Sequence, residues 1–194
     1  SYPHAMDAAT VFGNVHVIDS GHVSCGLGLM ALYAADMVKR GCTVGEILEE
    51  MEKLSDIVVT SVLLRSTDQL YQNARIGKSL NTLCHLFHLR PSFHIEKKHL
   101  KLRGLQTGNF EHACRIFVHR EFRDKKKIDP RVLLIIYAGC KSEQLQILQE
   151  HISQEMEFDH IAVQKSSATV ATNTGLGSIG LVYMKNNSGE DGRI

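Results

Sequence analysis

The segment that most restricts the fold of this 194-residue chain lies near its end, where a small, glycine-punctuated turn stands between two β-prone runs. Gly175, Gly177 and Gly180 fit the pattern G-x-G-x-x-G that nucleotide-binding turns use. A dinucleotide site requires a helix directly after these glycines, then a second strand with an acidic residue about 20 positions later. Here the β-prone run 179–184 follows, and after it come mainly polar residues. The context excludes a dinucleotide site, and it predicts a turn that presents backbone amides to an anionic or polar ligand.

The composition is that of a globular protein with enough apolar mass for a core, since 43% of the residues are hydrophobic and 22% are charged. The formal net charge of +1 argues against a dedicated nucleic-acid binder. The densest basic run, 123–127, contains an aspartate, and we interpret it as a solvated loop. We expect one large domain or two small ones, with no nucleic-acid partner.

Five cysteines are scattered along the chain without C-x-x-C spacing: Cys25, Cys42, Cys84, Cys114 and Cys140. This pattern indicates reduced thiols rather than a disulfide framework. No apolar run approaches the roughly 18 residues that cross a bilayer, and the N-terminus lacks a secretory signal pattern. We therefore predict a soluble, cytoplasmic protein that does not insert into a membrane.

Strand and helix patterns alternate along the chain, which is typical of the α/β class. β-Branched and apolar runs predict strands at 15–19, 57–64, 93–96, 99–102, 131–137, 159–163, 168–172 and 179–184. Helical periodicity and capping signals predict helices at 24–40, 43–54, 66–72, 79–88, 107–122 and 142–151.

A change of composition near Ser55 predicts the boundary between two lobes. We expect a partial N-terminal α/β lobe at 1–55, a C-terminal α/β lobe at 56–185 and a flexible tail at 186–194. One strand with two or three helices is too little to bury its own sheet edge. We therefore expect the chain to be a fragment of a longer product, with homo-oligomer contacts through this lobe if it is stable as given.

The first predicted helix contains two glycines in its opening turn, Gly26 and Gly28, in a second glycine-x-glycine pattern. Six residues separate Asp19 from Gly26, and the next predicted element is another helix, so the context again argues against a dinucleotide. Glycine costs about 1 kcal/mol in a helix, and two of them indicate that something packs close to this backbone. An apolar ligand chain and a neighbouring helix are the two alternatives.

Four short blocks stand in a fixed order along the chain. They are 15–20 with 23–29, Arg75-Ile76, Leu89-Arg90-Pro91 and Thr174-Gly175-Leu176-Gly177. In this order they resemble the DegV family, bacterial fatty-acid-binding proteins that serve a fatty acid kinase. The resemblance runs from the first residues to about Tyr183, and its specificity lies in the combination of all four blocks.

The resemblance implies a two-lobed α/β protein, its N-terminal lobe incomplete here, that buries one fatty acid or related lipid between the lobes without acting as an enzyme. It implies no cofactor, no metal and no catalytic residue, and a fatty acid kinase as the partner. The residues it assigns to the carboxylate are Thr174, Asn173, Arg75 and Gly175. Those it assigns to the tail are Gly26, Gly28, Leu29 and Met30.

Three departures from the family pattern bear on these expectations. The family's front part, whose hydroxyl residues help to hold the carboxylate, has no counterpart here. Asn173 stands where the family turn has a histidine, and an amide donates a neutral hydrogen bond but carries no charge. The basic cluster implicated in kinase docking is replaced by the sequence at 106–111.

Two further interpretations belong to other classes of function. The glycine turn is also consistent with an enzyme or an interaction module that binds a small phosphorylated ligand through an anion nest. His85 and His88 stand three residues apart on a predicted helix, but no carboxylate or thiol completes a known metal site. We interpret the histidines as structural or surface residues.

Overall fold

The β-prone runs of the sequence pair into a single sheet of six strands in the computed structural model, which describes residues 2–96 and 99–186. The strands are β1 (Val58–Leu63), β2 (Arg90–Glu96), β3 (His99–Gln106), β4 (Val132–Ala138), β5 (His160–Lys165) and β6 (Ser178–Met184). The eight α-helices of the described residues are α1 (Tyr2–Ala9), α2 (Cys25–Lys39), α3 (Val44–Ile57), α4 (Asp68–Gln72), α5 (Lys78–Leu86), α6 (Phe110–Glu121), α7 (Ser142–Glu155) and α8 (Ala168–Thr174). The fold is mixed α/β, as predicted.

The strand order is β3-β2-β1-β6-β4-β5, with β4 and β5 parallel and every other pair antiparallel. β6 lies between β1 and β4 and is buried over its whole length. Gly180 in β6 is the register partner of both Val62 in β1 and Ile136 in β4. The strand that follows the glycine turn therefore joins the two halves of the sheet.

The two faces of the sheet are covered differently. On the first face, α6 and α7 pack over alternate residues of the central strands in one apolar cluster that includes Leu63, Phe117 and Leu181. On the second face, α2 and α3 cover one end of the strands, and α4 with α5 cover the other. The second face thus carries two separate clusters, one around Met30 and Val182 and one around Phe93.

Two of the predicted strands are wrong. Residues 15–19 form no strand, because no described strand lies beside them to take their backbone hydrogen bonds; Ile18 packs against the α2–α3 cluster instead. Residues 168–172 belong to α8, because the Ser167 hydroxyl accepts a hydrogen bond from the Val170 amide and caps a helix. The N-terminal helix α1 was not predicted.

Most other predicted elements are confirmed, with shifts of a few residues at their ends. The predicted capping box is present, since the Thr43 side chain accepts from the Glu46 amide and the Glu46 carboxylate accepts from the Thr43 amide. The division into lobes stays a prediction. Of the predicted tail, Asn186 donates its backbone N–H to Lys127, and residues 187–194 lie outside the described residues.

No helix in the described ranges is both long and apolar enough to cross a bilayer. In the same residues, no group of three or more metal-ligating side chains is close enough to hold a metal ion.

Candidate functional site

The turn between α8 and β6 has the backbone conformation that its glycines predict. Gly175 and Gly177 have φ values of +80° and +84°, a region that strains any residue with a side chain. Both amides are already used: Gly175 donates to the carbonyl of Ala171, and Gly177 donates to the carbonyl of Ala138. These two N–H groups are therefore unavailable for an anion nest.

The side chains of Asn173 and Thr174 lie half-buried at the end of α8 and bond back to its helix. The Thr174 hydroxyl donates to the Val170 carbonyl at 3.0 Å, and Asn173 Nδ2 donates to the Thr169 carbonyl at 2.8 Å. Asn173 Nδ2 carries a second N–H, which has no acceptor among residues 2–96 and 99–186. The turn thus offers a ligand two hydrogen-bond donors. One is the second side-chain N–H of Asn173, and the other is the Thr174 hydroxyl, which can turn from the Val170 carbonyl to the ligand.

Arg75 lies in the connection between α4 and α5, which packs beside the same turn. Asn73, two residues earlier, donates its side-chain N–H to the Thr172 carbonyl at 3.1 Å and so ties this connection to α8. The Arg75 side chain is exposed, and in the part of the chain that the structure describes no carboxylate pairs with it. The loop that contains Arg75 therefore lies beside the end of α8 that contains Asn173 and Thr174.

The four residues assigned to the ligand tail have different surroundings. Gly26 faces the sheet, since a Cβ placed on it would lie 2.7 Å from Thr60 Oγ1. Gly28 faces outward, with nothing within 4 Å of such a Cβ. Leu29 and Met30 are 6% and 3% exposed and belong to the packed α2–α3 cluster. Gly26, Leu29 and Met30 therefore lie against the sheet face that leads to the turn, and Gly28 does not.

The distance between the two regions follows from the register of the sheet. Thr60, which Gly26 touches, pairs with Val182, and Ser178 at the end of the turn lies four residues away along β6. At the rise of an extended strand this separation is about 13 Å. The row between them consists of Val62, Gly180 and Ile136 on the same face.

Sequence reasoning missed this row. Its signal was Gly180, because a glycine within a strand marks a bulge or a close approach of other atoms. The close approach is made by Ile136, whose Cγ2 would lie 2.5 Å from a Cβ at Gly180. The methyl groups of Ile136 therefore cover the glycine, and the row forms an apolar floor between the turn and α2.

A buried polar cluster lies on the other face of the sheet, beneath α6. His94 Nε2 lies 2.8 Å from Glu121 Oε2, and the Tyr183 hydroxyl donates to the same carboxylate at 3.2 Å. Burial, and then the charge of Glu121, raise the pKa of Tyr183 well above its usual value. This cluster lies on the opposite face of the sheet from the glycine turn, and its side chains hydrogen-bond within the cluster. It is therefore separate from the candidate site at the turn.

Comparison with protein families decides the relationship of the chain. The family model of the DegV proteins, which are described as uncharacterised, matches residues 1–186. The chain belongs to the DegV family. A DegV domain-containing protein of Staphylococcus aureus strain MRSA252 is 23% identical over 176 residues, which are 90% of this chain and 62% of that protein. One from Deinococcus radiodurans is 35% identical over 98 residues, 48% of this chain and 34% of that protein.

Solved DegV structures share the fold of this DegV chain. A fatty-acid-binding DegV family protein from Thermus thermophilus matches with a TM-score of 0.78 and 23% identity over 92% of this chain and 64% of that one. The Fatty Acid Kinase (Fak) B3 protein of Streptococcus pneumoniae, loaded with linoleic acid, matches with a TM-score of 0.80 and 19% identity over 96% and 67% of the two chains. The predicted family and fold are confirmed, and the chain spans less than two thirds of the curated Staphylococcus relative.

Proposed function

We propose that this DegV chain binds a long-chain fatty acid as part of a non-enzymatic lipid carrier. The carboxylate is bound at the α8–β6 turn, and the hydrocarbon tail runs over the second face of the sheet toward α2. One observation carries the proposal: the turn and Gly26 lie on the same sheet face, and the apolar row Val62, Gly180 and Ile136 lies between them. Fatty acid binding by the Thermus and Streptococcus relatives supports the ligand class.

The physical chemistry of the two ends matches this ligand. Burying each CH₂ group contributes about 0.8 kcal/mol, so a long tail on an apolar floor supplies the affinity. A carboxylate needs several donors, because an ionised group is costly to take out of water. Asn173 contributes an amide N–H and Thr174 a hydroxyl, and Arg75 contributes the positive charge that Asn173 lacks.

We further propose that the carrier works in the cytoplasm and presents its ligand to a fatty acid kinase. The name of the Streptococcus relative supports the kinase, and the five free cysteines support a reducing compartment. The lobes 1–55 and 56–185 remain our division of the chain. Homo-oligomer contacts through the first lobe are supported by exposed apolar side chains on α2, namely Leu27, Leu32 and Val38.

The test is ligand recovery followed by a matched pair of variants. We expect mass spectrometry of an organic extract of the purified chain to recover a fatty acid, and added palmitic or oleic acid to raise the melting temperature. Thr174→Ala should weaken fatty acid binding by about tenfold, because a donor to the carboxylate is lost. Thr172→Ala is the control, since Thr172 also bonds back to α8 but is exposed on it.

Recovery of no acyl chain, together with no thermal stabilisation by any fatty acid, would contradict the proposal. Equal affinities of the Thr174→Ala and Thr172→Ala variants would reject the position of the carboxylate while leaving lipid binding itself in place.

A further inference from the structure

A second cleft lies beside the glycine turn and is used by neither end of the proposed lipid site. It has a volume of about 200 Å³ and lies between the β1–α4 connection and the α5–β2 connection. Its lining includes two arginines, Arg65 and Arg90, and two histidines, His85 and His88. The sequence did not predict the pairing of the two arginines, because Arg65 follows β1 and Arg90 begins β2, 25 residues later.

Arg65 is held in place by uncharged neighbours. Its stem crosses Gly177 so closely that a Cβ on that glycine would lie 2.5 Å from Arg65 Cδ. Its guanidinium carbon lies 5.8 Å from the ring centroid of Phe110. No carboxylate in the described ranges forms an ion pair with Arg65. The positive charge is therefore positioned but not neutralised.

Arg90 is also positioned without a counter-charge. Its Nη1 donates to the Gly108 carbonyl at 2.7 Å and to the His88 carbonyl at 3.3 Å. Its Nε is buried, and no acceptor for it is present in residues 2–96 and 99–186. A buried donor without a hydrogen-bond partner is destabilising. An anion in the cleft would accept a hydrogen bond from Nε and supply the missing negative charge.

Asp68, whose hydrogen-bond partner His85 lines the cleft, does not neutralise the arginines. The Asp68 carboxylate accepts from the Ser66 hydroxyl at 2.6 Å and lies 2.6 Å from His85 Nε2. These hydrogen bonds, from Ser66 first and then from His85, lower the pKa of Asp68. The Asp68 carboxylate is therefore ionised and hydrogen-bonded to Ser66 and His85. It does not neutralise Arg65 or Arg90.

We propose that this cleft binds the phosphate group of a small phosphomonoester between Arg65 and Arg90. The planar fork of a guanidinium matches phosphate oxygens, and two fixed positive charges suit a group that carries between one and two negative charges at neutral pH. The site is independent of the proposed fatty acid function. It differs from the predicted anion nest, because its donors are side chains of the cleft and not the amides of the turn.

The experiment titrates the full chain with inorganic phosphate, phenyl phosphate and acetate, using calorimetry and thermal unfolding. Saturable binding of both phosphates with no response to acetate is expected. Arg65→Ala and Arg90→Lys should each weaken phenyl phosphate binding by about tenfold, since each removes guanidinium hydrogen bonds to the anion. Arg123→Ala is the control for Arg65→Ala, because it removes an exposed arginine outside the cleft and lowers the net charge by the same amount; Arg90→Lys needs no such control, since it keeps the positive charge.

Three results would overturn the assignment. The first is equal phenyl phosphate affinity in the Arg65→Ala, Arg90→Lys and Arg123→Ala variants, with native folding verified by circular dichroism. The second is an acetate affinity equal to that of phosphate, which would indicate a general anion site. The third is binding to vesicles containing phosphatidic acid that free phosphate does not displace, which would point to a lipid surface. Because the readout uses no fatty acid, its failure is distinguishable from failure of the proposed function.

Discussion

Gly26 and Gly28 begin the same helix, but their surroundings predict opposite effects of the same substitution. A methyl group added at Gly28 meets nothing within 4 Å. A methyl group added at Gly26 lies 2.7 Å from Thr60 Oγ1 and 3.1 Å from His22 Cβ. The two alanine variants therefore separate the intrinsic cost of glycine in a helix from the packing that requires it.

The magnitudes follow from these contacts. Gly28→Ala should stabilise the protein by about 1 kcal/mol, the helix-propensity difference between the two residues, and raise the melting temperature by roughly 2–4 °C. Gly26→Ala gains the same propensity, but overpacking against Thr60 and His22 costs about 1–3 kcal/mol. The net effect is a loss of up to about 2 kcal/mol, unless Thr60 moves.

Urea unfolding of both variants measures these differences, with Thr60→Ala and the Gly26→Ala/Thr60→Ala double variant closing a cycle. Removing the Thr60 hydroxyl opens the space for the new methyl group, so Gly26→Ala should become much less harmful in that background. Destabilisation by Gly28→Ala at a concentration at which the chain is monomeric would refute the reasoning, because it would mean that the chain itself covers the outer side of α2. An unchanged penalty for Gly26→Ala in the Thr60→Ala background would refute the contact with β1.

Two further predictions concern ionisable groups. Burial raises the pKa of Asp129, but hydrogen bonds and charge from Arg131 outweigh it and hold the pKa below its usual value of 3.8. A depressed carboxyl pKa stabilises the fold above the unfolded value and loses this effect as the pH falls through the folded value. Asp129→Asn should therefore cost about 1–2 kcal/mol in urea unfolding at pH 7 and much less at pH 2.5; an equal cost at both would contradict this. Burial, followed by the nearby Cys140, raises the pKa of Cys114 to about 12. Iodoacetamide at pH 8 should therefore alkylate Cys114 only after unfolding, which peptide mass spectrometry would show. Rapid labelling of Cys114 in the native protein would contradict this prediction.

The elements that the sequence predicted correctly are those with local signals. The capping box at Thr43 and Glu46 fixes the start of α3, and the Asn109 side chain accepts from the His112 amide at the start of α6. The apolar run after Pro130 becomes β4, whose Leu133 and Ile135 are fully buried. In each case the information lies within a few residues of the element.

The elements that failed depend on distant neighbours. Residues 15–19 and 168–172 have the β-branched composition of strands, but a strand also requires a partner, and periodicity carries no information about partners. In the second case a local signal was present: Ser167 is a helix cap, and it outweighs the β-preference of Thr169 and Val170.

The candidate site divides in the same way. The positive φ of Gly175 and Gly177 follows from the sequence of the turn, but the occupation of their amides does not, because the acceptor of Gly177 lies in β4. The contact between Gly177 and Arg65 joins residues that are far apart in the chain. A sequence shows that a glycine is needed, whereas the structure shows which atom requires it.

The two faces of the sheet differ in a way that explains why we place the proposed fatty acid on one of them. The face under α6 and α7 is closed by one continuous apolar cluster, so a guest there would have to displace packed side chains. The other face carries two clusters, and Ile136 and Gly180, which lie between the turn and α2, are members of neither. A hydrocarbon tail placed along this seam gains apolar contact on both sides without breaking a cluster. A Cβ at position 180 lies 2.5 Å from Ile136 Cγ2, so leucine there would push Ile136 into the seam. Gly180→Leu, with native folding verified by circular dichroism, should therefore abolish fatty acid binding even with Thr174 intact; retained binding would place the tail elsewhere.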